Sequence, residues 1–126
     1  MIYGIGTDIV SIERFERMLN RYGPRVAAHI LSESEMPAYQ ACIQPAAFLA
    51  KRFAAKEAFA KALGTGIRWP LTLTRIGIAH TESGRPILNF DDDVVAQLEA
   101  RGVQSWHLSI SDEKEFACAF VVLEAS

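Results

Sequence analysis

The longest helical pattern in this chain has charged residues among its apolar positions, unlike that of an ordinary surface helix. It runs from Pro45 to Leu63, is rich in alanine, has few β-branched residues, and is followed by Gly64, a typical C-cap residue. On a helical wheel, Arg52 and Lys56 fall inside the arc occupied by apolar side chains, so the helix has no clean solvent face. The sequence therefore predicts a long helix that packs against other elements on several sides.

Two explanations compete for the charged side chains of this helix. In the first, Glu57 and Lys61 form an i,i+4 ion pair worth ~0.2–0.5 kcal/mol, and the long basic side chains extend outward to solvent. In the second, Glu57 meets Asp8, which follows the glycine-containing predicted strand Ile2–Thr7. Two carboxylates repel each other unless a cation bridges them, and oxygen ligands suit Mg²⁺. Lys61 and the GTG sequence at 64–66 would then suit a phosphate, which predicts a metal-assisted, phosphate-handling site.

The other elements follow from hydrophobic spacing, turn residues and caps. The predicted elements are a strand Ile2–Thr7 ended by Asp8, a helix from Ser11 to Gly23, a capping box at Ser32 and Glu35 followed by a short helix before Cys42, a strand from Leu71 to Ile78, a strand Pro86–Phe90, a helix from Asp91 or Asp92 to Gly102, and strands Trp106–Ser111 and Phe116–Leu123. Helices come mostly first and hairpin-linked strands mostly last. This order favours one α+β domain over residues 1–126, with a largely antiparallel sheet packed against the long helix.

Composition narrows the possible functions. The net charge of −2 and the pI near 5.9 argue against a generally basic nucleic-acid binder. No apolar run approaches the ~20 residues of a membrane span, and the amino end lacks a secretory signal pattern. Cys42 and Cys118 belong to no metal-binding or disulfide pattern. We therefore expect a cytoplasmic protein with two free thiols and no membrane or nucleic-acid partner.

Four segments together resemble a known family. They are GIGTDIVSIERF at 4–15, RFAAKEAFAKALGTGIR at 52–68, SGRPIL at 83–88 and HLSISDEKEFACAFVV at 107–122. In this order they are similar to the small bacterial holo-acyl-carrier-protein synthases, which are 4'-phosphopantetheinyl transferases. The resemblance implies transfer of the 4'-phosphopantetheine arm of coenzyme A to a serine of apo acyl carrier protein, with release of adenosine 3',5'-bisphosphate, as a step of fatty acid biosynthesis.

The resemblance also implies roles for particular residues. Asp8 and Glu57 would bind Mg²⁺ together with the coenzyme A pyrophosphate, and Lys61 would stabilise charge on the leaving group. The proton acceptor is open between a carboxylate such as Glu57 and a metal-associated water.

Other positions match family residues that contact the coenzyme. Gly64 and Thr65 match a coenzyme-contacting loop, and Pro86 and His107 match residues near the nucleotide. Each has a structural explanation as well: a C-cap, a strand start, and a histidine partnered in the sheet. Many family members carry a second histidine where this chain has Asp112, and this departure from the family pattern leaves the implied metal site unchanged.

The first predicted helix presents a basic stripe opposite its apolar face. Arg14, Arg17 and Arg21 share this stripe, and Glu13 and Glu16 lie close enough to make an ordinary salt-bridged surface. Acyl carrier proteins are acidic, and in the family the first helix docks them. The resemblance therefore implies that Arg14 and Arg21 contact the carrier.

Two alternative functions remain open, and the resemblance also implies an oligomeric state. A non-catalytic, oligomeric nucleotide-binding module would have the same composition and the same basic stripe. An Mg²⁺-dependent phosphohydrolase would use the same carboxylates with water as the nucleophile. The resemblance implies a homotrimer whose active sites lie between subunits.

Overall fold

A computed structural model describes all residues, 1–126, as five strands and five α-helices with two single-turn 3₁₀ segments. The strands are β1 (Ile2–Ser11), β2 (Gly77–His80), β3 (Pro86–Asn89), β4 (Val103–Asp112) and β5 (Phe116–Ala125). The helices are α1 (Ile12–Tyr22), α2 (Arg25–Ile30), α3 (Met36–Ala41), α4 (Pro45–Leu63) and α5 (Asp92–Ala100). The predicted bounds of α4 are confirmed at both ends, and Gly64 adopts the left-handed C-cap conformation with φ of 86°.

The main sheet is antiparallel, in the order β1-β5-β4, and β2 and β3 form a separate hairpin. One face of this sheet packs against α4. The side chains of Leu49, Phe59, Leu63 and most alanines of this helix are buried in the core. The predicted α+β fold, an antiparallel sheet packed against a long helix, is confirmed.

Glycines in β1 let this strand run directly against α4. A Cβ atom on Gly4 would lie 2.0 Å from the carbonyl oxygen of Ala62, and one on Gly6 would lie 2.0 Å from that of Ala58. Any side chain at these positions would collide with backbone, so glycine on the strand and alanine on the helix are required together. This close approach brings the next inward-facing residue of β1, Asp8, to the side of α4.

Three local predictions were wrong or incomplete. Asp8 does not end the first strand, because β1 continues pairing with β5 as far as Ser11. Residues Leu73–Arg75 form a 3₁₀ turn in place of a strand, and the Leu73 carbonyl accepts a hydrogen bond from the Lys56 ammonium group rather than from a neighbouring strand. The short helix α2 was not predicted, because its six residues have too few turns to show a helical period.

Candidate functional site

Asp8 and Lys61 meet where β1 crosses α4. The Lys61 ammonium nitrogen lies 3.0 Å from Asp8 Oδ1 and 3.0 Å from the carbonyl oxygen of Thr7. The other carboxylate oxygen, Asp8 Oδ2, is buried and has no hydrogen-bond partner. A buried, unpartnered carboxylate oxygen is costly, and such exceptions call for an explanation.

Glu57 shares the electrostatic environment of Asp8. Burial raises the pKa of the Glu57 carboxyl, the negative charge of Asp8 raises it further, and the positive charges of Lys61 and Arg14 act in the opposite direction. The charge of Asp8 thus acts on Glu57 within a single chain, and a shared role of the two carboxylates as metal ligands stays a prediction. The alternative i,i+4 pair between Glu57 and Lys61 does not form, because Lys61 pairs with Asp8 instead.

Arg14 borders the same site from α1. Its guanidinium carbon lies 5.1 Å from the centre of the Phe53 ring on α4 and 5.6 Å from that of Phe15. These cation–π contacts hold the Arg14 guanidinium beside α4, where its positive charge acts on Glu57. The sequence placed Arg14 in the stripe but gave no sign that its charge would reach Glu57.

The loop after α4 follows the same site along the chain. The Gly64 amide donates to the carbonyls of Ala60 and Lys61 and closes the helix, and Thr65 is partly exposed just beyond it. Gly64 is thus confirmed as the C-cap of α4. A role in contacting the coenzyme stays a prediction.

Pro86 and His107 lie together but apart from the carboxylates. Both line a groove between β3 and β4 that also includes Trp106. His107 pairs with Val122, which pairs with Ile5, and this row occupies the face of the sheet turned away from α4. His107 forms a hydrogen bond with Glu124, and this contact contributes most to lowering the pKa of the glutamate. Within one chain, then, His107 and Asp8 are on opposite faces of the sheet.

Arg52 and Lys56 do not extend to solvent, so this part of the structural explanation was wrong for these two residues. The Lys56 ammonium group is fully buried and donates to Glu35 Oε1, to the Ile30 carbonyl and to the Leu73 carbonyl. Arg52 is 6% exposed and donates from Nη1 to Glu35 Oε2 and to the Ile78 carbonyl. Glu35 is itself 1% exposed. The capping box of Ser32 and Glu35 was predicted correctly, but its glutamate also anchors two buried cations.

A second cleft contains Lys51 and His80, which were not singled out from the sequence. They line it with Arg52, Pro86 and Asp112, in a volume of about 230 Å³. Burial lowers the pKa of His80, and the charges of Arg52 and Lys51 lower it further. The carboxylate of Asp112 lies 4.0 Å from the Lys51 ammonium nitrogen. These five residues come from α4 and three different strands, so no local sequence pattern unites them.

A third feature is an apolar groove of about 350 Å³ between α1 and α2. Its lining residues are Met18, Tyr22, Arg25, Val26, His29 and Ile30. Arg21 lies beside it, with its guanidinium carbon 5.4 Å from the Tyr22 ring. Arg17, in contrast, is engaged by Glu13 at 2.7 Å.

The candidate site contains two carboxylates and no richer metal-binding set. No group of three or more His, Cys, Asp and Glu side chains is placed to hold a metal ion. Cys42 and Cys118 are free thiols. No helix combines the length and the hydropathy that crossing a membrane requires.

Comparison with known proteins connects this geometry to a family. Residues 4–121 match the family model of the 4'-phosphopantetheinyl transferase superfamily. The chain belongs to this superfamily. The resemblance seen in the sequence is thus confirmed, and the protein is a phosphopantetheinyl transferase.

Relatives match over the whole chain. The holo-[acyl-carrier-protein] synthase of Nitrosospira multiformis is 52% identical over 124 residues, which is 98% of this chain and 99% of the relative. The crystal structure of the Neisseria meningitidis synthase superposes with a TM-score of 0.94 at 46% identity, covering 98% of this chain and 99% of that one. The Bacillus anthracis synthase, solved in complex with CoA (3',5'-ADP), gives 0.84 at 39% identity over 100% and 99% of the two chains. Neither the phosphohydrolase nor the non-catalytic module is supported by these matches.

Proposed function

We propose that the junction of β1 and α4 is the reactive centre of this transferase, and that its reaction depends on Mg²⁺ held by Asp8 and Glu57. The chain transfers the 4'-phosphopantetheine group of coenzyme A to a serine of apo acyl carrier protein, as its family membership and full-length relatives indicate. We assign this activity to residues 1–126 as one domain. The observation that carries the proposed centre is the buried Oδ2 of Asp8, which has no partner beside a second carboxylate.

The residues at this junction fit a hard divalent cation. The free oxygen of Asp8 offers one ligand, and Glu57 offers another, whose pKa is raised by burial and by the charge of Asp8 and would be lowered by a bound cation. Mg²⁺ characteristically takes one or two carboxylates and fills its remaining positions with water and substrate phosphates, so a two-carboxylate site suits it. When bound, the ion would supply charge stabilisation to the coenzyme A pyrophosphate.

The chain's own side chains would position the substrates and balance charge. In the reaction, the carrier serine gives up its proton to Glu57 or to a water, its oxygen bonds to the phosphorus that carries the pantetheine arm, and the bond from that phosphorus to adenosine 3',5'-bisphosphate breaks with its electron pair staying on the leaving group. Lys61 is 57% exposed, and its ammonium group donates to Asp8 and to the Thr7 carbonyl, which leaves its third N–H for the developing charge on the leaving phosphate. Gly64 and Thr65 follow Lys61 closely, and we propose that their loop contacts the same phosphates.

We further propose that α1 and α2 dock the carrier protein. Arg14 and Arg21 provide positive charge for an acidic helix, and the apolar groove beside them provides a surface for the apolar side chains of that helix. Arg17 lies in the same stripe but is already neutralised by Glu13. Arg14 would thus contact the carrier and also lie next to the carboxylate pair, which would bring the carrier serine to the reactive centre.

The opposite face of the sheet supports a homotrimer with shared active sites. Ile9 and Phe120 are 65% and 44% exposed on this face, where a single chain leaves large apolar side chains uncovered. His107 lies on this face and Asp8 on the other, so one chain does not bring both to one coenzyme. We propose that Pro86 and His107 of a neighbouring subunit complete the nucleotide pocket. Under this proposal, dilution to monomers abolishes activity, and a fully active monomer would refute it.

The decisive experiment is the intact mass of apo acyl carrier protein after incubation with the chain and coenzyme A. We expect a gain of one phosphopantetheine in the presence of Mg²⁺, little gain in EDTA, and none with Asp8→Ala. A gain that is unchanged by EDTA would refute the metal requirement while leaving the transfer intact. No gain with several apo carriers would refute the transferase assignment. We propose that in the cell the reaction takes place in the cytoplasm and supplies holo carrier for fatty acid biosynthesis.

A further inference from the structure

Lys56 joins three separate segments of the chain at one buried point. Its side chain is 0% exposed, and its ammonium group donates to the Ile30 carbonyl at 2.6 Å, to the Leu73 carbonyl at 2.9 Å and to Glu35 Oε1 at 2.6 Å. An ammonium group has three N–H donors and no acceptor, so this lysine has no hydrogen-bonding capacity left. The Glu35 contact is an ion pair, whereas the two carbonyl contacts tie the end of α2 and the 3₁₀ turn at 73–75 to α4.

The Ile30 carbonyl lies at the end of a helix that needs outside support. Helix α2 is six residues long and has no side-chain cap at its amino end. Helices shorter than ~12–15 residues are marginal without tertiary contacts, and the last carbonyls of a helix have no partner within it. Lys56 supplies that partner, and its positive charge is favourable at a helix carboxyl end. Val26 and Ile30 pack the helix into the core, and Lys56 fixes its carboxyl end.

The same end of α2 forms part of the apolar groove beside α1. His29 and Ile30 are among the residues that line this groove. On the other side of the lysine, Glu57 is the next residue of α4 and lies within the electrostatic influence of Asp8. Successive side chains of a helix leave it about 100° apart, so a single turn of α4 holds α2 through Lys56 and carries Glu57 near Asp8. The groove and the reactive centre are thereby held at a fixed separation.

We propose that Lys56 is a positioning residue for the carrier protein: its ammonium group orders the carboxyl end of α2, so that the apolar groove is formed before the carrier binds. This inference rests on the proposed docking of the carrier by α1 and α2. A preformed groove removes the entropic cost of ordering it during binding, and this difference appears in affinity. Without the lysine, α2 becomes ordered only when the carrier binds. The KM for the carrier then rises, while the geometry of the bound complex, and with it kcat, is regained.

Lys56→Met removes the three hydrogen bonds without leaving an unpaired ion in the interior. Glu35 keeps its ion pair with Arg52, at 3.1 Å, and its hydrogen bonds from Ser32. Methionine fills a comparable space with a flexible apolar chain, so we expect this variant to fold. Lys56→Gln keeps two N–H donors on a shorter side chain. It is the second variant, and it should show a smaller effect of the same kind.

The kinetic test compares the KM for the apo carrier with the KM for coenzyme A. Lys56→Met should raise the carrier KM about fivefold to tenfold, because part of the binding free energy is then used to order α2. The KM for coenzyme A and kcat should each change by less than about twofold. Leu98→Ala is the matched control: it removes a buried side chain from α5, a helix that packs on β4, and should lower stability without changing either KM.

Hydrogen exchange gives a readout that needs no activity. The Leu31 amide donates to the Ala27 carbonyl and closes α2, and the Arg101 amide donates to the Gln97 carbonyl at the end of α5. In Lys56→Met the Leu31 amide should exchange about tenfold faster, and the Arg101 amide should be unaffected. An unchanged exchange rate at Leu31, or an equal rise of the KM values for carrier and coenzyme A, would overturn the inference.

Arg21→Ala and a binding measurement separate this inference from the proposed function. If Arg21→Ala raises the carrier KM and both Lys56 variants leave it unchanged, the positioning role is refuted and the docking surface stands. If none of the three variants changes the carrier KM, both are refuted. Calorimetry with the apo carrier should show the same rise in Kd for Lys56→Met. That rise in a chain without transfer activity would uphold the positioning role and refute the proposed reaction.

Discussion

Two pairs of charged residues on different sides of α4 differ in their surroundings. Arg52 and Lys56, the buried pair, are hydrogen-bonded to Glu35 and to backbone carbonyls. Glu57 and Lys61, the exposed pair, are partly or largely exposed and lie near Asp8, whose buried oxygen has no partner. The buried pair has its carboxylate partner within the chain, whereas the exposed pair lies beside a carboxylate oxygen that has none. Charges that the chain satisfies hold the helix in place, and charges that it leaves unsatisfied mark the place for substrate and metal.

The largest expected effect tests the buried pair, Arg52 and Lys56. Glu35→Ala leaves two buried cations without a counter-charge, and breaking a buried ion pair in this way costs about 3–5 kcal/mol. Urea unfolding should show this loss in the free energy of unfolding. Glu33→Ala, an exposed glutamate two residues away, is the control and should change stability by less than about 0.5 kcal/mol. A loss below 1 kcal/mol in Glu35→Ala would mean that the cluster does not anchor α4.

The next largest effect tests Asp8, beside the exposed pair, by measuring turnover. Asp8→Ala should lower kcat for phosphopantetheine transfer by roughly 10³-fold, because several kcal/mol of charge stabilisation depend on this carboxylate. The melting temperature should stay close to that of the wild-type chain. The Asp8 carboxylate has a buried oxygen, Oδ2, without a hydrogen-bond partner, so its removal takes away an unfavourable burial as well as a contact. If the variant keeps more than a tenth of wild-type turnover in saturating Mg²⁺, Asp8 does not hold the metal.

A smaller effect concerns stability at Glu57. Burial and the negative charge of Asp8 raise the pKa of Glu57, so folding disfavours its charged carboxylate and the residue subtracts stability above its unfolded-state pKa. The penalty is absent below the unfolded-state pKa, near 4.3, grows as the pH rises from that value, and is complete above the folded-state pKa. Glu57→Gln should therefore melt higher than the wild-type chain at pH 8 and equally at pH 4, while losing activity. A variant that melts lower than the wild-type chain at pH 8 would contradict the raised pKa of Glu57.

The smallest effect concerns the surface that borders the reactive centre. Arg14→Ala or Arg21→Ala should each raise the KM for the carrier protein about threefold to fivefold at low salt, and the difference should shrink as salt increases. Arg17→Ala is the matched control, since Glu13 already occupies that side chain. An equal effect from all three arginines would indicate a general attraction between opposite charges rather than a docked helix.

The sequence alone determined the elements that depend on local chemistry. Alanine content, the absence of β-branched runs and Gly64 predict α4 from Pro45 to Leu63, because helix propensity and C-capping act within a few residues. The G-x-D and K-E-x-x-x-K patterns, through their resemblance to a family, predicted the candidate residues Asp8, Glu57 and Lys61. The strand predicted from Leu71 was wrong at Leu73–Arg75, where the chain forms a 3₁₀ turn and the Leu73 carbonyl accepts a hydrogen bond from Lys56 of α4, a contact that spans 17 residues.

Only the tertiary structure decided which charges are satisfied. Arg52 and Glu57 are five residues apart on one helix, and nothing in their local sequence says that Glu35 lies beside the first and Asp8 beside the second. Those neighbours come from segments distant in the chain. Gly4 and Gly6 let β1 approach α4 and bring Asp8 near Glu57. The turn at Ser32 places Glu35 beside Arg52. Burial and electrostatic interaction energies depend on distances in space, which sequence spacing within one helix does not encode.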